Sequence, residues 1–269
     1  MTRERYFCAV ALVPRDLQPL VLRTADGLCL VADAWLTREP ATSAVVLVHG
    51  FGGHRRDAPV VAMAHELRAE GHAVITYDMR GHGESEGLCT LGDLEQLDVA
   101  AAVAAAQDLA PRVVLVGASL GAIAVLRYAV GVPEGPDSDL AGVVTVSAPA
   151  KWRMTTPRTA LAAAVTRTRI GRSLARRRGV RLDRRWSCPE PPDALAARLT
   201  VPLAVVHGRD DRFMPTSEAQ VLHDAASGHR RIDLVTGMGH AYGTQSLEPI
   251  SDAVAWCLGV PVPEMNPRP

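Results

Sequence analysis

The chain has 269 residues, with 29 Lys and Arg against 29 Asp and Glu, so its formal net charge is +0; it is 48% hydrophobic and 22% charged. That length suits one large α/β domain or two small ones, and the composition is that of a soluble globular protein. A neutral balance gives no global electrostatic reason to expect nucleic acid or a membrane surface as partner. The five cysteines, Cys8, Cys29, Cys89, Cys188 and Cys257, form no CxxC pair. Such a dispersed, odd set predicts reduced thiols in a cytoplasmic protein, most of them small buried hydrophobes.

The predicted elements begin with an apolar run from Tyr6 to Val13 after a basic start. It is at the short limit for a secretory core and lacks a small-residue cleavage pattern, so it reads as an extension or an edge strand. "PLVLRT" and "LCLVADAWL" flank Ala25-Asp26-Gly27 and predict a β-hairpin. Alternation follows: strand "SAVVLVHG", helix from Pro59 to Glu70, strand "HAVITYD", and an alanine-rich helix from Leu91 to Leu109. Next come strand "RVVLVG", helix Leu120 to Val130 and strand "LAGVVTVSAP". After an interruption the pattern resumes with strand "VPLAVVHG", helix Ser217 to Ala226, strand "RRIDLVTG" and helix Leu247 to Leu258, before a proline-rich tail, "VPVPEMNPRP". Strands apolar on both faces, alternating with helices, predict a mostly parallel sheet of about eight strands covered on both sides. No apolar run is long enough to cross a membrane.

The interruption, residues 150–200, predicts a helical insertion between two sheet strands, leaving 1–149 and 201–269 as the core. Between Lys151 and Leu199 it holds 13 basic and 3 acidic residues, an excess of ten, while the remainder of the chain holds 16 basic and 26 acidic. Leu161, Val165, Ile170 and Leu174 recur at rough helical spacing between arginines, which predicts an amphipathic piece broken at Gly171. Three readings of the arginines stand: a solvated face, recognition of an anionic substrate or lipid surface, and ion pairing to the acidic body.

Gly117-Ala118-Ser119-Leu120-Gly121 is a G-x-S-x-G between a strand and a helix. In that setting the turn is strained and holds the serine at a sheet end and a helix N-terminus, where positive dipole favours an oxyanion. A serine nucleophile needs a base, and the base needs an orienting acid. Downstream, "LAVVHGRDDRFMP" offers Asp210 and Asp211 at one strand end, and "IDLVTGMGHA" offers His240 at the next. Successive strand ends are where α/β sheets bind ligands. The glycines match no dinucleotide or P-loop pattern, and the histidines no metal-binding spacing, so neither cofactor nor metal is expected.

With "LVHGFGG", "YDMRGHGES", "GASLG", "HGRDDRFMP" and "GMGH" in this order, the sequence resembles the α/β-hydrolase superfamily from about Leu20 to Leu258. It is most similar to short-capped serine hydrolases grouped with monoacylglycerol lipases, small esterases and prolyl aminopeptidase-like enzymes. The resemblance implies an α/β-hydrolase fold with a helical cap. It implies Ser119 as nucleophile, His240 as base and, by spacing from His207 and Pro215, Asp211 as acid, with Asp210 as the alternative. Some relatives take the acid after the preceding strand, but "VSAPAKW" there has no carboxylate. The amides of Leu120 and Phe51 are the implied oxyanion donors. Gly52, His54 and Arg55, beside the second donor, are read as substrate contacts at the entrance. His49 and His207 read as loop-packing residues, and Asp78 and Arg80 as structural. The implied activity is hydrolysis of a small-molecule carboxylic ester, anionic or lipid-like, through an acyl-enzyme. The same residues could serve a thioesterase, an amidase or aminopeptidase, or an acyltransferase; a binding module that kept the fold without turnover is the reading from another class.

Overall fold

A computed structural model describes residues 17–131, 140–153 and 156–260. Cys8, the run from Tyr6 to Val13 and the tail beyond Val260 lie outside the described residues. Eight strands form one sheet: β1 (Leu17–Arg23), β2 (Cys29–Trp35), β3 (Ala44–Val48), β4 (Ala73–Tyr77), β5 (Val113–Ala118), β6 (Leu140–Val146), β7 (Leu203–Gly208) and β8 (Arg230–Val235). Their order is β1-β2-β4-β3-β5-β6-β7-β8. The pairings β1/β2 and β2/β4 are antiparallel, and the others are parallel.

The expected hairpin forms with Gly27 at φ 88°, a backbone region closed to most side chains but open to glycine. Thr24 and Leu28 close it, the Thr24 amide donating to the Leu28 carbonyl at 3.0 Å. Every residue of β3 and β4 is buried, as the double-sided apolar pattern requires. One face packs on Val99, Val103, Leu126 and Leu222, and the other on Met63, Leu67 and Val254. Full burial of each such large side chain contributes about 1.5–3 kcal/mol.

The helices of the core are α1 (Ala58–Ala69), α2 (Glu95–Gln107), α3 (Leu120–Val130), α7 (Thr216–Ala225) and α8 (Leu247–Cys257). Four match the expected spans within a residue or so, whereas α2 starts four residues later than expected. Leu91 and Gly92 take positive φ, 59° and 94°, so the chain turns there instead of winding. The buried Glu95 carboxylate fixes that turn, accepting from the Thr90 and Gly92 amides at 2.7 and 2.9 Å. Among the described residues no helix is long and apolar enough to cross a membrane. Cys89 and Cys257 are buried free thiols, Cys29 is half-buried, and Cys188 is exposed, departing from the expected burial.

Between β6 and β7 the chain forms α4 (Pro157–Arg167), α5 (Arg169–Arg177) and α6 (Pro192–Ala196). The expected break at Gly171 is corrected: the helix ends before Thr168, whose hydroxyl accepts from the Gly171 amide at 3.0 Å and caps α5. Gly171 lies buried inside α5. The expected apolar stripe also faces the other way. Ile170 is 76% exposed, and Leu161 and Leu174 are exposed too, while the small Ala175 turns inward. The return from α5 is stitched to the loop after β4: the Cys89 amide donates to the Arg181 carbonyl at 2.7 Å, the Asp183 amide to the Cys89 carbonyl at 2.9 Å, and Leu182 bridges Cys89. Helix α6 packs against α3 and α7.

Strand order reverses between β3 and β5, which opens a crevice at their carboxyl ends. The loop after β3 and the turn after β5 meet there.

Candidate active site

Ser119 sits in the turn between β5 and α3 at φ 51° and ψ −108°, a strained conformation for a residue with a side chain. Its amide donates to the Val146 carbonyl at 2.9 Å, tying the turn to β6. The flanking glycines are demanded by close approach. A Cβ on Gly117 would lie 2.4 Å from the Gly121 carbonyl oxygen, and one on Gly121 would lie 2.6 Å from that of His49. A side chain at Gly121 would push the turn away from β3, and one at Gly117 would force the first turn of α3 away from β5.

The Leu120 amide opens α3 and so has no acceptor within the helix. The Phe51 amide, in the loop after β3, donates to no backbone acceptor among the described residues. Neither amide has a backbone acceptor among the described residues, and both residues line the cavity at Ser119. Gly52, next in that loop, takes φ 79°.

Asp211 and His240 meet as expected. His240 Nδ1 lies 2.7 Å from Asp211 Oδ2. The other Asp211 oxygen accepts from the amides of Phe213 and Met214, both at 2.8 Å. Burial alone would raise the Asp211 pKa, but the hydrogen bond from His240, the two amides and the His240 charge outweigh it. The carboxyl is held below its ordinary value. Asp210 points away from this pair. It faces solvent and accepts from the Gly237 amide at 2.8 Å, bracing the turn before His240. No hydrogen bond joins Ser119 to His240 among the described residues; such contacts are often loose without substrate.

The histidines read as loop-packing residues are neutral and buried. The Met79 amide donates to His49 Nε2 at 3.1 Å, so Nδ1 carries the proton and donates to the Gly50 carbonyl at 2.7 Å. Burial pushes the His49 pKa down to about 3. His207 Nε2 faces the Met214 carbonyl at 3.1 Å, and burial lowers its pKa as well. Arg80 is structural, its Nε donating to Asp98 at 2.8 Å.

The substrate contacts expected at Gly52, His54 and Arg55 are corrected, for none of the three lines the cavity at Ser119. Arg55 is only 5% exposed, and its guanidinium donates to Asp33 at 3.0 Å, Asp78 at 2.6 Å and Glu84 at 2.6 Å. It locks the loop after β3 onto β2 and β4. His54 turns to Asp57 at 2.9 Å, at the start of α1. Arg55→Ala leaves buried Asp33 and Asp78 short of a partner, so a loss of about 3–5 kcal/mol in urea unfolding is expected. Arg56→Ala should lose far less, because Arg56 is half exposed and shares Asp33 with Arg55.

Several contributors carry no sequence signal. Ser147 and Ala241 take positive φ, 49° and 62°, and the Ala241 amide donates to Ser147 Oγ at 3.1 Å, tying the His240 loop to the end of β6. Tyr242 donates its hydroxyl to the Val48 carbonyl at 2.8 Å. The Phe213 ring packs 4.9 Å from the His240 ring. A cavity of about 410 Å³ opens at Ser119, lined by Phe51, Leu91, Leu120, Ile123, Phe213 and Met214 from the core. Trp152, Arg172, Arg184 and Trp186 close it from the segment after β6.

The fold and this crevice define an α/β-hydrolase. Residues 39–194 match the family described as "Serine aminopeptidase, S33", and the chain belongs to that family of α/β-hydrolases. Over 116 residues it is 38% identical to the quorum-quenching protein AidA of Acinetobacter baumannii (strain MDR-ZJ06), a match covering 40% of this chain and 36% of that protein. Its fold is similar to that of the Pyrococcus furiosus esterase Pf2001, with a TM-score of 0.69 and 20% identity over 90% of this chain and 92% of the other. The Exiguobacterium antarcticum esterase EaEST gives a TM-score of 0.67 at 17% identity, covering 90% and 100%. Est1E from Butyrivibrio proteoclasticus, solved with ferulic acid bound, gives 0.63 at 20%, covering 89% and 97%.

Proposed function

We propose that this hydrolase cleaves a carboxylic ester through an acyl-enzyme on Ser119. Ser119 Oγ attacks the carbonyl carbon while its proton passes to His240 Nε2. Asp211 holds the imidazole with its proton on Nδ1 and stabilises the charged ring. The Phe51 and Leu120 amides receive the oxyanion. His240 then returns the proton to the departing alcohol oxygen as its bond to carbon breaks. Water repeats the sequence on the acyl-Ser119 ester and releases the acid. Residues 150–200 act as a cap over Ser119, with α6 anchoring its return to the core.

The observation that carries this reading is the strained serine opening into an apolar cavity beside the buried Asp211 carboxylate bonded to the half-buried His240. The apolar wall suits the acyl or aryl part of an ester. Incubation with a fluorophosphonate probe should label Ser119, and a short-chain p-nitrophenyl ester should be turned over. Folded protein that does neither would overturn the reading.

A further inference from the structure

A second cavity, of about 560 Å³, lies beside the first, under the loop after β4 and against α5. Five arginines line it: Arg169, Arg172, Arg176, Arg181 and Arg184. Ser173 adds a hydroxyl, and no carboxylate lines it among the described residues. Three other basic residues of the segment are paired: Lys151 with Asp193 at 3.2 Å, Arg153 with Glu218 at 2.9 Å and Arg198 with Glu190 at 2.8 Å. Arg169, Arg176 and Arg184 pair with no carboxylate among the described residues. Arg181 donates to the carbonyls of Gly83, Ser85 and Gly87, which fix its plane without neutralising it. Ion pairing to the acidic body therefore does not account for Arg169, Arg176 and Arg184. Like charges gathered around one concavity repel each other and favour an anion within it.

We propose that this cavity binds the phosphate groups of the substrate's leaving group, a class bearing a pyrophosphate or several phosphates; this rests on the Ser119 reading above. Three features select that chemistry. Guanidinium forks match phosphate oxygens bidentately, and all five lining cations are arginine. One carboxylate occupies one fork, so the three forks of Arg169, Arg176 and Arg184 in one cavity call for several oxygens and more than one charge. Arg172 and Arg184 line both cavities, so one molecule can reach Ser119 at one end and the arginines at the other. When Ser119 Oγ bonds to the acyl carbon, the bond from that carbon to the leaving sulfur or oxygen breaks. His240 gives that atom its proton, and the phosphates depart with the released thiol or alcohol.

The test has two arms. In calorimetry, inorganic pyrophosphate should bind the full chain at one site, more weakly as salt rises, and bind Ser119→Ala equally well. Arg169→Ser/Arg176→Ser, at exposed positions on α5, should weaken that binding at least about tenfold, since each lost charged hydrogen bond is worth about 1.5–3 kcal/mol. In the second arm, butyryl-coenzyme A is compared with the butyryl thioester of N-acetylcysteamine, which has the same reacting bond and no phosphate. The ratio of kcat/KM for the first to the second should fall at least about tenfold in the double variant. Absence of pyrophosphate binding, binding indifferent to the double variant, or an unchanged ratio would each overturn the proposal. So would sedimentation with phosphatidic acid vesicles that pyrophosphate does not compete away, which would assign the arginines to a membrane surface. Loss of pyrophosphate binding with fluorophosphonate labelling intact removes this inference alone. Absent labelling with pyrophosphate bound removes the Ser119 chemistry instead.

Discussion

Ser119→Ala is expected to lower kcat for a short-chain p-nitrophenyl ester by about 10⁶-fold, roughly 8 kcal/mol of barrier. The size follows from what is removed. Without Oγ no acyl-enzyme forms, and His240 has no hydroxyl to deprotonate. What remains is binding in the apolar cavity and the amides of Phe51 and Leu120, which help a water attack only modestly. Stability should change by less than about 1 kcal/mol. Ser119 Oγ has no hydrogen bond among the described residues, so its loss orphans no buried partner. The strained φ of 51° is imposed by the turn and by the hydrogen bond from the Ser119 amide to the Val146 carbonyl, and alanine meets the same strain. Turnover and thermal unfolding of the same sample separate the two effects. A variant that keeps more than a few per cent of the turnover would place the nucleophile elsewhere.

The strands were legible because parallel strands buried on both faces need continuous apolar runs, and "AVVLV" and "VVLVGA" have them. The turn at Ser119 was legible because its two glycines answer to local crowding, which a short pattern records. Arg55 was not. "HGFGGHRRD" looks like an exposed basic loop, and the carboxylates that bury Arg55 come from positions 33, 78 and 84, on or after neighbouring strands. Pairing of that kind is a property of the sheet order. The late start of α2 has the same origin, since Leu91 gains nothing locally from a positive φ and is held there by the buried Glu95. Ala241 and Ser147 are likewise ordinary residues in unusual backbone positions, fixed by one hydrogen bond between distant loops. In α5 the helical spacing was real, but it was read with the wrong side inward. A face of Gly171 and Ala175 lets the helix lie close to the core, and the large Ile170 and Leu174 are left outside.

The two adjacent carboxylates of "GRDDRF" should separate sharply on mutation. Asp211→Asn is expected to lower kcat about 10⁴-fold, while Asp210→Asn should stay within about twofold of the parent. In Asp211→Asn the amides of Phe213 and Met214 still need an acceptor, so the Asn carbonyl oxygen takes the place of Oδ1. The amide nitrogen then points at His240 Nδ1 as a donor. His240 must present a lone pair there and carry its proton on Nε2, the tautomer unable to accept from Ser119. Asp210 only receives the Gly237 amide, and an asparagine oxygen does that equally well. The depressed pKa of Asp211 gives the sign of the pH effect. A carboxylate held below its unfolded value contributes stability above that value, and loses it as pH falls through the folded pKa. Asp211 is therefore ionised at neutral pH. Equal losses at the two aspartates, or a larger one at Asp210, would show that the 2.7 Å contact of Asp211 with His240 does not set the tautomer.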